Sequence, residues 1–276
     1  MSKRVAVVTG SNKGIGFAIV RALCKNFDGD VVLTARNPEL GKQAVSDLEK
    51  ENLHPKFHQL DIDDHNSVVR IRDFLKENYG GLDILVNNAG IAYKQASTVP
   101  FAEQAEVSTK TNFFNTLNVC QVLFPLLRPH ARVVNLSSYG SQMALSKCSN
   151  EYKAKFTDPN LSMDELKSII KKFVDLAKDN KHQQAGFPDS AYGMSKIGVT
   201  VMSIIQQREL DKKGCQDIVV NACCPGYVAT EMTSYKGTLT VDQGAETPVY
   251  CALLPANIDS PRGLFIREKK VSEWKA

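Results

Sequence analysis

Seven short runs rich in β-branched residues punctuate the chain, and most segments between them carry apolar residues at helical spacing. The runs are Val5–Thr9, Val31–Ala35, Lys56–Ile62, Asp83–Asn87, Arg132–Ser137, Ile218–Cys223 and Leu264–Ile266. Ile15, Ile19 and Leu23, and later Val68, Ile71 and Leu75, show the helical period. Strand–helix alternation of this kind predicts a parallel sheet with helices on both faces. The runs are apolar, which fits strands buried on both sides. No internal repeat or low-complexity linker interrupts the chain. Residues 1–276 are therefore expected to form one α/β domain, a doubly wound parallel sheet of about seven strands.

One segment breaks the rhythm. Tyr139 to Ser190 has no clear strand and is polar and lysine-rich. It holds one strong helix signal. Ser162-Met-Asp-Glu165 is a capping box, followed on one face by Leu166, Ile169, Ile170, Phe173 and Val174. A helical insertion at about 139–190 is the simplest reading.

Composition narrows the function. The 34 basic and 30 acidic side chains leave a net charge of +4, too mild to argue for nucleic acid or a membrane surface, and no basic run appears. The seven cysteines contain no C-x-x-C, so neither a disulfide framework nor a zinc site is expected. Lys3-Arg4 precedes an apolar stretch too short for a signal-peptide core, and no run reaches transmembrane length. Trp274-Lys275-Ala276 matches no targeting signal. A reduced, cytoplasmic protein is expected.

The loop Thr9-Gly-Ser-Asn-Lys-Gly-Ile-Gly16 lies between the first strand and the first helix. A helix N-terminus offers backbone N–H groups and partial positive charge to an anion. Gly10, Gly14 and Gly16 remove side chains that would block a pyrophosphate. An ordinary glycine-rich turn is the competing reading, and the strand-before, helix-after context favours the Rossmann-type one. An NAD site usually ends its second strand on an acid. Here that strand ends at Arg36, which suits a 2′-phosphate, and Lys13 adds a charge from the loop. NADP(H) is therefore the expected cofactor, against the alternative that both are solvated surface cations. Asp61, at the end of the third strand, either accepts from an adenine amine or caps the next helix. Asn88-Ala89-Gly90 ends the fourth strand, where it either brings backbone close to the cofactor or only stabilises the sheet edge.

Tyr192-Gly-Met-Ser-Lys196 places a phenol and an ammonium on one helical face. A nearby cation lowers a tyrosine pKa and makes it a usable acid or base. Y-x-x-x-K alone is weak. Its weight comes from Ser138, at the carboxyl end of the fifth strand, where open α/β sheets bind ligands. Ser138 would hold a substrate carbonyl oxygen while Tyr192 protonates it.

Together these residues resemble the short-chain dehydrogenase/reductase superfamily over nearly the whole chain: T-G-x-x-x-G-x-G, N-N-A-G, Ser138, Y-x-x-x-K and Cys224-Pro225-Gly226. The resemblance implies a proton relay completed by Asn112, whose competing role is to stabilise a helix bend. It implies that Lys196 also holds the nicotinamide ribose. The cofactor set then takes in Asn12, Ile15, Ile62, Pro225, Gly226, the backbone of Val228 and the hydroxyl of Thr230. Within the superfamily, FHQLDIDD, GGLDILVNNAGIA, KTNFFNT, SAYGMSKIGVTV, NACCPGYV and GAETPVY are similar to the monomeric carbonyl reductases of animals. Tyr227, where tryptophan is expected, and Tyr139-Gly140-Ser141 depart from that pattern. With Met232 they are expected to border the substrate pocket.

The resemblance implies NADPH-dependent reduction of ketones, aldehydes and quinones, with xenobiotic carbonyls, prostaglandins or steroid ketones as small-molecule substrates. A dedicated steroid or prostaglandin dehydrogenase, and an NADP(H)-binding sensor, are the rivals. A monomer is expected, because the Ser162–Lys178 helix would cover the surface that pairs in dimeric members; the same segment could instead be a mobile lid. Cys224 is either a thiol reactive toward glutathione adducts or a buried strand-end cysteine.

Overall fold

The computed structural model describes residues 3–94 and 96–275. Strand β1 (Val5–Val8) leads through the glycine loop into α1 (Gly14–Asn26). The same step recurs as β2 (Asp30–Ala35), α2 (Pro38–Glu49), β3 (Lys56–Gln59), α3 (His65–Tyr79) and β4 (Leu82–Asn87). Helix α4 (Phe101–Thr109) passes through a π-helical turn, Lys110–Asn115, into α5 (Thr116–Leu123) and then β5 (Leu127–Leu136). Next come α6 (Tyr139–Ser146), α7 (Asn150–Thr157), α8 (Met163–Lys178) and α9 (Ala191–Lys212). The chain closes with β6 (Val219–Cys224), α10 (Val241–Ala252), β7 (Phe265–Arg267) and β8 (Lys270–Val271).

The strands form one sheet in the order β3-β2-β1-β4-β5-β6-β7-β8. All neighbours are parallel except β7 and β8. The eighth strand exceeds the expected count of about seven. It is two residues long and follows a tight hairpin whose Glu268 and Lys269 both have positive φ. So short a strand leaves no period in the sequence.

Strand β1 shows why the apolar runs belong in a parallel sheet. Ala6 and Val8 face a cluster with Ile19 and Leu23 of α1, Leu48 of α2 and Ala245 of α10. Val5 and Val7 face the opposite cluster with Val68, Ile71 and Leu75 of α3 and Val119 of α5. The order reverses between β1 and β4, so a crevice opens at their carboxyl ends.

The segment after Ser138 is helical, as expected, but holds three helices rather than one. Ser162 and Glu165 form the capping box that starts α8. Its buried face is Leu166, Ile170, Phe173 and Ala177, with Ile169 and Val174 at the margin. This face packs on α4 and α9, joining Ala105, Met194, Ile197 and Val201 in a third cluster. Helices α6 and α7 escaped sequence reading because each buries too few apolar residues to show a period, in α7 only Tyr152 and Phe156. His182 anchors the end of the segment: its ring stacks on Phe101 at 4.4 Å, and Nε2 lies 3.2 Å from Asp189 Oδ1. The C-terminal strap then crosses it, with Trp274 Nε1 donating to the Phe156 carbonyl at 3.0 Å.

Among the described residues no helix is long and apolar enough to cross a membrane, and no group of three or more His, Cys, Asp or Glu could hold a metal ion. All seven cysteines are free thiols.

Candidate functional site

The glycine loop ends in a helix start whose N-cap side chain does not cap it. Lys13 is the N-cap residue of α1, its side chain makes no capping bond, and the first turn holds no acid. The first N–H groups and the positive end of the helix are therefore left for an external anion. Glycine is required for two different reasons. Gly10 sits at φ +59°, and a Cβ there would lie 2.9 Å from the Ala89 Cα. At Gly16 a Cβ would lie 2.4 Å from Asn88 Nδ2 and 2.7 Å from the Gly10 carbonyl oxygen. The loop is thus pressed against the turn after β4. These residues fit the pyrophosphate of a dinucleotide.

Asn88 is what holds that contact together. Its Nδ2 donates to the carbonyls of Thr9 at 3.0 Å and Gly10 at 2.8 Å, and its backbone N–H donates to Thr9 Oγ1. The Asn-Ala-Gly turn therefore does not stabilise a sheet edge. Strand β4 is interior, between β1 and β5, and its turn fixes the shape of the glycine loop.

Arg36 follows the last residue of β2, and its exposed guanidinium makes no ion pair among the described residues. Asp61 lies beyond β3, which ends at Gln59 rather than continuing to Ile62. The two stations are adjacent, because the Leu60 N–H donates to the Ala35 carbonyl and Gln59 Nε2 to the Arg36 carbonyl. Asp61 does not cap α3; Asp64 does, accepting from the Asn66 N–H. One Asp61 oxygen accepts from the Asp63 N–H at 3.0 Å, and Ile62 is buried beside it. Lys13 is ion-paired with Glu231 across the loop, a partner the sequence offers no means of finding.

Ser138, Tyr192 and Lys196 converge at the carboxyl end of the sheet. Ser138 follows β5 and is the N-cap of α6, accepting from the Gly140 N–H at 3.0 Å. Its hydroxyl lies near enough to the Tyr192 phenol to pull that phenol's pKa down. A Cβ on Gly140 would lie 3.6 Å from Tyr192 Cε1, so glycine keeps the approach to the phenol open. Ser190 caps α9 and sets its first turn, which carries Tyr192 and, one turn later, Lys196.

The electrostatics differ from expectation. Burial pushes the Tyr192 phenol up to about 12, against the opposing pull of the Ser138 hydroxyl. Lys196 does not lower it. Nζ lies 5.7 Å from the Tyr192 ring centroid and donates instead to the Leu136 carbonyl at 2.7 Å. Burial pushes Lys196 itself down to about 8. A desolvated phenol beside a desolvated ammonium favours neutral forms of both. The tyrosine therefore keeps its proton through the neutral range and can donate it.

Asn112 lies in the π-helical turn and is buried. Its Oδ1 accepts from the Ile91 N–H at 2.8 Å, and its Nδ2 donates to the Ile91 carbonyl and to Ser195 Oγ, each at 2.9 Å. The amide thus bolts the chain after Gly90 to α9, a structural role other than the stabilised helix bend weighed for it. A Cβ on Gly90 would lie 3.0 Å from Asn112 Oδ1 and 3.7 Å from Lys196 Nζ, so these three positions meet. Ser195, hidden inside Y-x-x-x-K, was missed because its partner is remote in sequence.

The segment from Pro225 crosses the front of the loop. Gly226 has φ +87°, Val228 is buried, and the Ala229 N–H donates to the Leu239 carbonyl. Thr230 opens a short 3-10 turn through a capping box with Thr233, and its methyl carbon lies 3.6 Å from where a Cβ on Gly14 would be. Asn12 and Ile15 are half-buried beneath it. Tyr139, Tyr227 and Met232 are exposed apolar side chains. Cys224 is buried, and its Sγ accepts from the N–H groups of Tyr139 and Gly226.

The family model for short chain dehydrogenase matches residues 4–156 and 180–238. The gap between the two blocks contains α8, the helix that sets the insertion apart. Carbonyl reductase [NADPH] 1 of Bos taurus is 54% identical over 274 residues, covering 99% of both chains. Carbonyl reductase [NADPH] 3 of Mus musculus is 53% identical over 272 residues, covering 98% of both. Among solved structures, salutaridine reductase from Papaver somniferum superposes with a TM-score of 0.84 at 33% identity, covering 95% of this chain and 99% of that one. Menthone neomenthol reductase from Mentha piperita gives 0.81 at 29% identity, over 98% and 100%. The glycine loop, the serine, the tyrosine and the lysine stand in one crevice, and the chain belongs to the short-chain dehydrogenase family.

Proposed function

We propose that this chain is an NADPH-dependent reductase of ketones, aldehydes and quinones. The observation that carries the reading is the approach of Ser138 to Tyr192, one helical turn from Lys196 and at the same sheet edge as the glycine loop, whose N-cap residue makes no side-chain cap. The identity to NADPH carbonyl reductases along almost the full chain supports it.

When bound, NADPH supplies the hydride that adds to the carbonyl carbon. Ser138 Oγ holds the carbonyl oxygen beside the phenol. Tyr192 donates its proton to that oxygen as negative charge develops there. Its raised pKa suits the role of acid. Lys196, held by the Leu136 carbonyl, keeps a positive charge near the phenolate that the transfer leaves behind. Asn112 fixes the Gly90–Ile91 backbone against α9, and we assign it the relay position through that placement. Gly10, Asn12, Gly14, Ile15 and Gly16 would receive the pyrophosphate. Arg36 and Lys13 would meet the 2′-phosphate, Asp61 and Ile62 the adenine, and Asn88, Ala89 and Gly90 the ribose side. Pro225, Gly226, Val228 and Thr230 would flank the nicotinamide, and Tyr139, Tyr227 and Met232 the substrate.

The apolar face of α8 is already covered by α4 and α9, which supports a monomer; sedimentation at micromolar concentration checks it. Free thiols throughout support a reducing, cytoplasmic location.

The direct test is a panel of quinones, aromatic aldehydes and aliphatic ketones, run with NADPH and NADH side by side. Oxidation of NADPH well above that of NADH is expected. Binding of NADPH with no oxidation by any member of the panel would sink the reading and favour a sensor.

A further inference from the structure

We propose that Arg267 gives the substrate cleft an anion-binding wall, so that the preferred carbonyl compounds carry a carboxylate. The inference rests on the reductase reading only for where the substrate sits.

Arg267 is the last residue of β7 and pairs in register with Cys224, the last residue of β6. Both therefore lie at the carboxyl edge of the sheet, where ligands bind in open α/β folds. Cys224 Sγ accepts the Tyr139 N–H at 3.1 Å, which brings the start of α6 against these strand ends. The Arg267 guanidinium carbon stands 4.0 Å from the Tyr139 ring centroid. Tyr139 directly follows Ser138, so the cation contacts the residue next to the serine assigned to the carbonyl oxygen.

The contact with Tyr139 is made by the guanidinium carbon over the ring, and the Arg267 side chain is still 38% exposed, so N–H donors remain for an incoming anion. An edge-on guanidinium is the geometry that takes a carboxylate with two parallel bonds. Among the described residues its ion-pair partner is a weak competitor. Glu268 approaches to 3.5 Å and is 80% exposed, a pair that water and salt screen.

Two further features say the charge is held there on purpose. Arg267 is the direct cross-strand partner of Lys270. Like charges directly opposite destabilise a strand pair, so a cost is carried for this placement. The hairpin is also rigidly mounted. The Ser272 N–H donates to the Phe265 carbonyl, Gln142 Nε2 of α6 donates to the Glu273 carbonyl at 2.8 Å, and Trp274 packs edge-on to Phe265. A fixed guanidinium loses little freedom on binding.

The test compares 4-carboxybenzaldehyde with its methyl ester as substrates, and the corresponding acid and ester alcohols as ligands of the NADPH-loaded protein, measured by calorimetry. The parent is expected to favour the acid about tenfold in both kcat/KM and Kd, as one charge-assisted, partly solvated contact allows. Arg267→Gln should abolish that ratio, and Arg267→Lys should retain part of it. NADPH affinity reports that each variant is folded. An acid-to-ester ratio near one in the parent, or a ratio that survives in Arg267→Gln, overturns the inference. If neither aldehyde turns over but the Kd ratio is present and lost in Arg267→Gln, the reductase reading fails and the anion site stands.

Discussion

Gly16→Ala separates the two demands placed on the glycine loop. Gly16 lies inside α1, where alanine is the better helix former by about 1 kcal/mol. On propensity alone the substitution stabilises. The neighbourhood says otherwise. The new methyl would sit 2.7 Å from the Gly10 carbonyl oxygen and 2.8 Å from the Ser11 Cα, both backbone, and 2.4 Å from Asn88 Nδ2. Overpacking of this kind costs about 1–3 kcal/mol. If Asn88 swings away, its bonds to the Thr9 and Gly10 carbonyls go with it, about 1 kcal/mol each. The clash wins, with a net loss of about 2 kcal/mol and a fall in Tm of roughly 4–8 °C. NADPH affinity should fall at least tenfold, because the loop backbone must move to make room. Gly80→Ala is the control. Gly80, unlike Gly16, has positive φ, +69°, and nothing lies within 4 Å of its added Cβ. It should lose about 1–2 kcal/mol from backbone strain alone and leave NADPH affinity unchanged. Thermal unfolding and fluorescence titration with NADPH read both effects. A Gly16→Ala protein that melts and binds like the parent refutes the reasoning, as does an equal affinity loss in Gly80→Ala.

Tyr192→Phe should abolish turnover while NADPH still binds within a fewfold of the parent; lost binding would make the tyrosine structural. Arg36→Asp should shift the NADPH-to-NADH preference by at least tenfold toward NADH, through repulsion of the 2′-phosphate and a new acceptor for the 2′-hydroxyl, and paired steady-state assays measure it. The pH dependence follows from Lys196. Burial lowers it to about 8, so its positive charge is present below that pH and lost above it. Reduction should therefore hold through the neutral range and decline as pH rises through about 8, while Tyr192 stays protonated; a kcat/KM profile flat to pH 9.5 would contradict this. Glu231→Gln should lower the KM for NADPH about twofold by freeing Lys13, since exposed ion pairs resist exchange only weakly.

What the sequence reveals and what it hides divides along sequence separation. Lys196 follows Tyr192 by one turn, Glu165 follows Ser162 by three residues, and the three glycines share one loop, so short-range geometry makes each group legible. The partners that define the site are remote: Asn88 with Gly10, Asn112 with Ser195, Lys13 with Glu231, Arg267 with Tyr139. Each pairing exists only because the sheet order carries distant segments to one edge. The electrostatics are hidden for the same reason. Spacing places an ammonium beside a phenol and predicts a lowered tyrosine pKa. The fold instead buries both and turns Nζ toward the Leu136 carbonyl, which raises it. Lys13 shows the consequence for specificity. From the loop alone it reads as half of a clamp on the 2′-phosphate. In the folded chain it already has an anion in Glu231, carried on the segment that crosses the loop. Cofactor arrival then exchanges one anion for another at Lys13, whereas among the described residues Arg36 has no such partner to surrender. Arg36 should consequently carry more of the preference for the phosphorylated cofactor than Lys13, and single substitutions to methionine at each position would rank them.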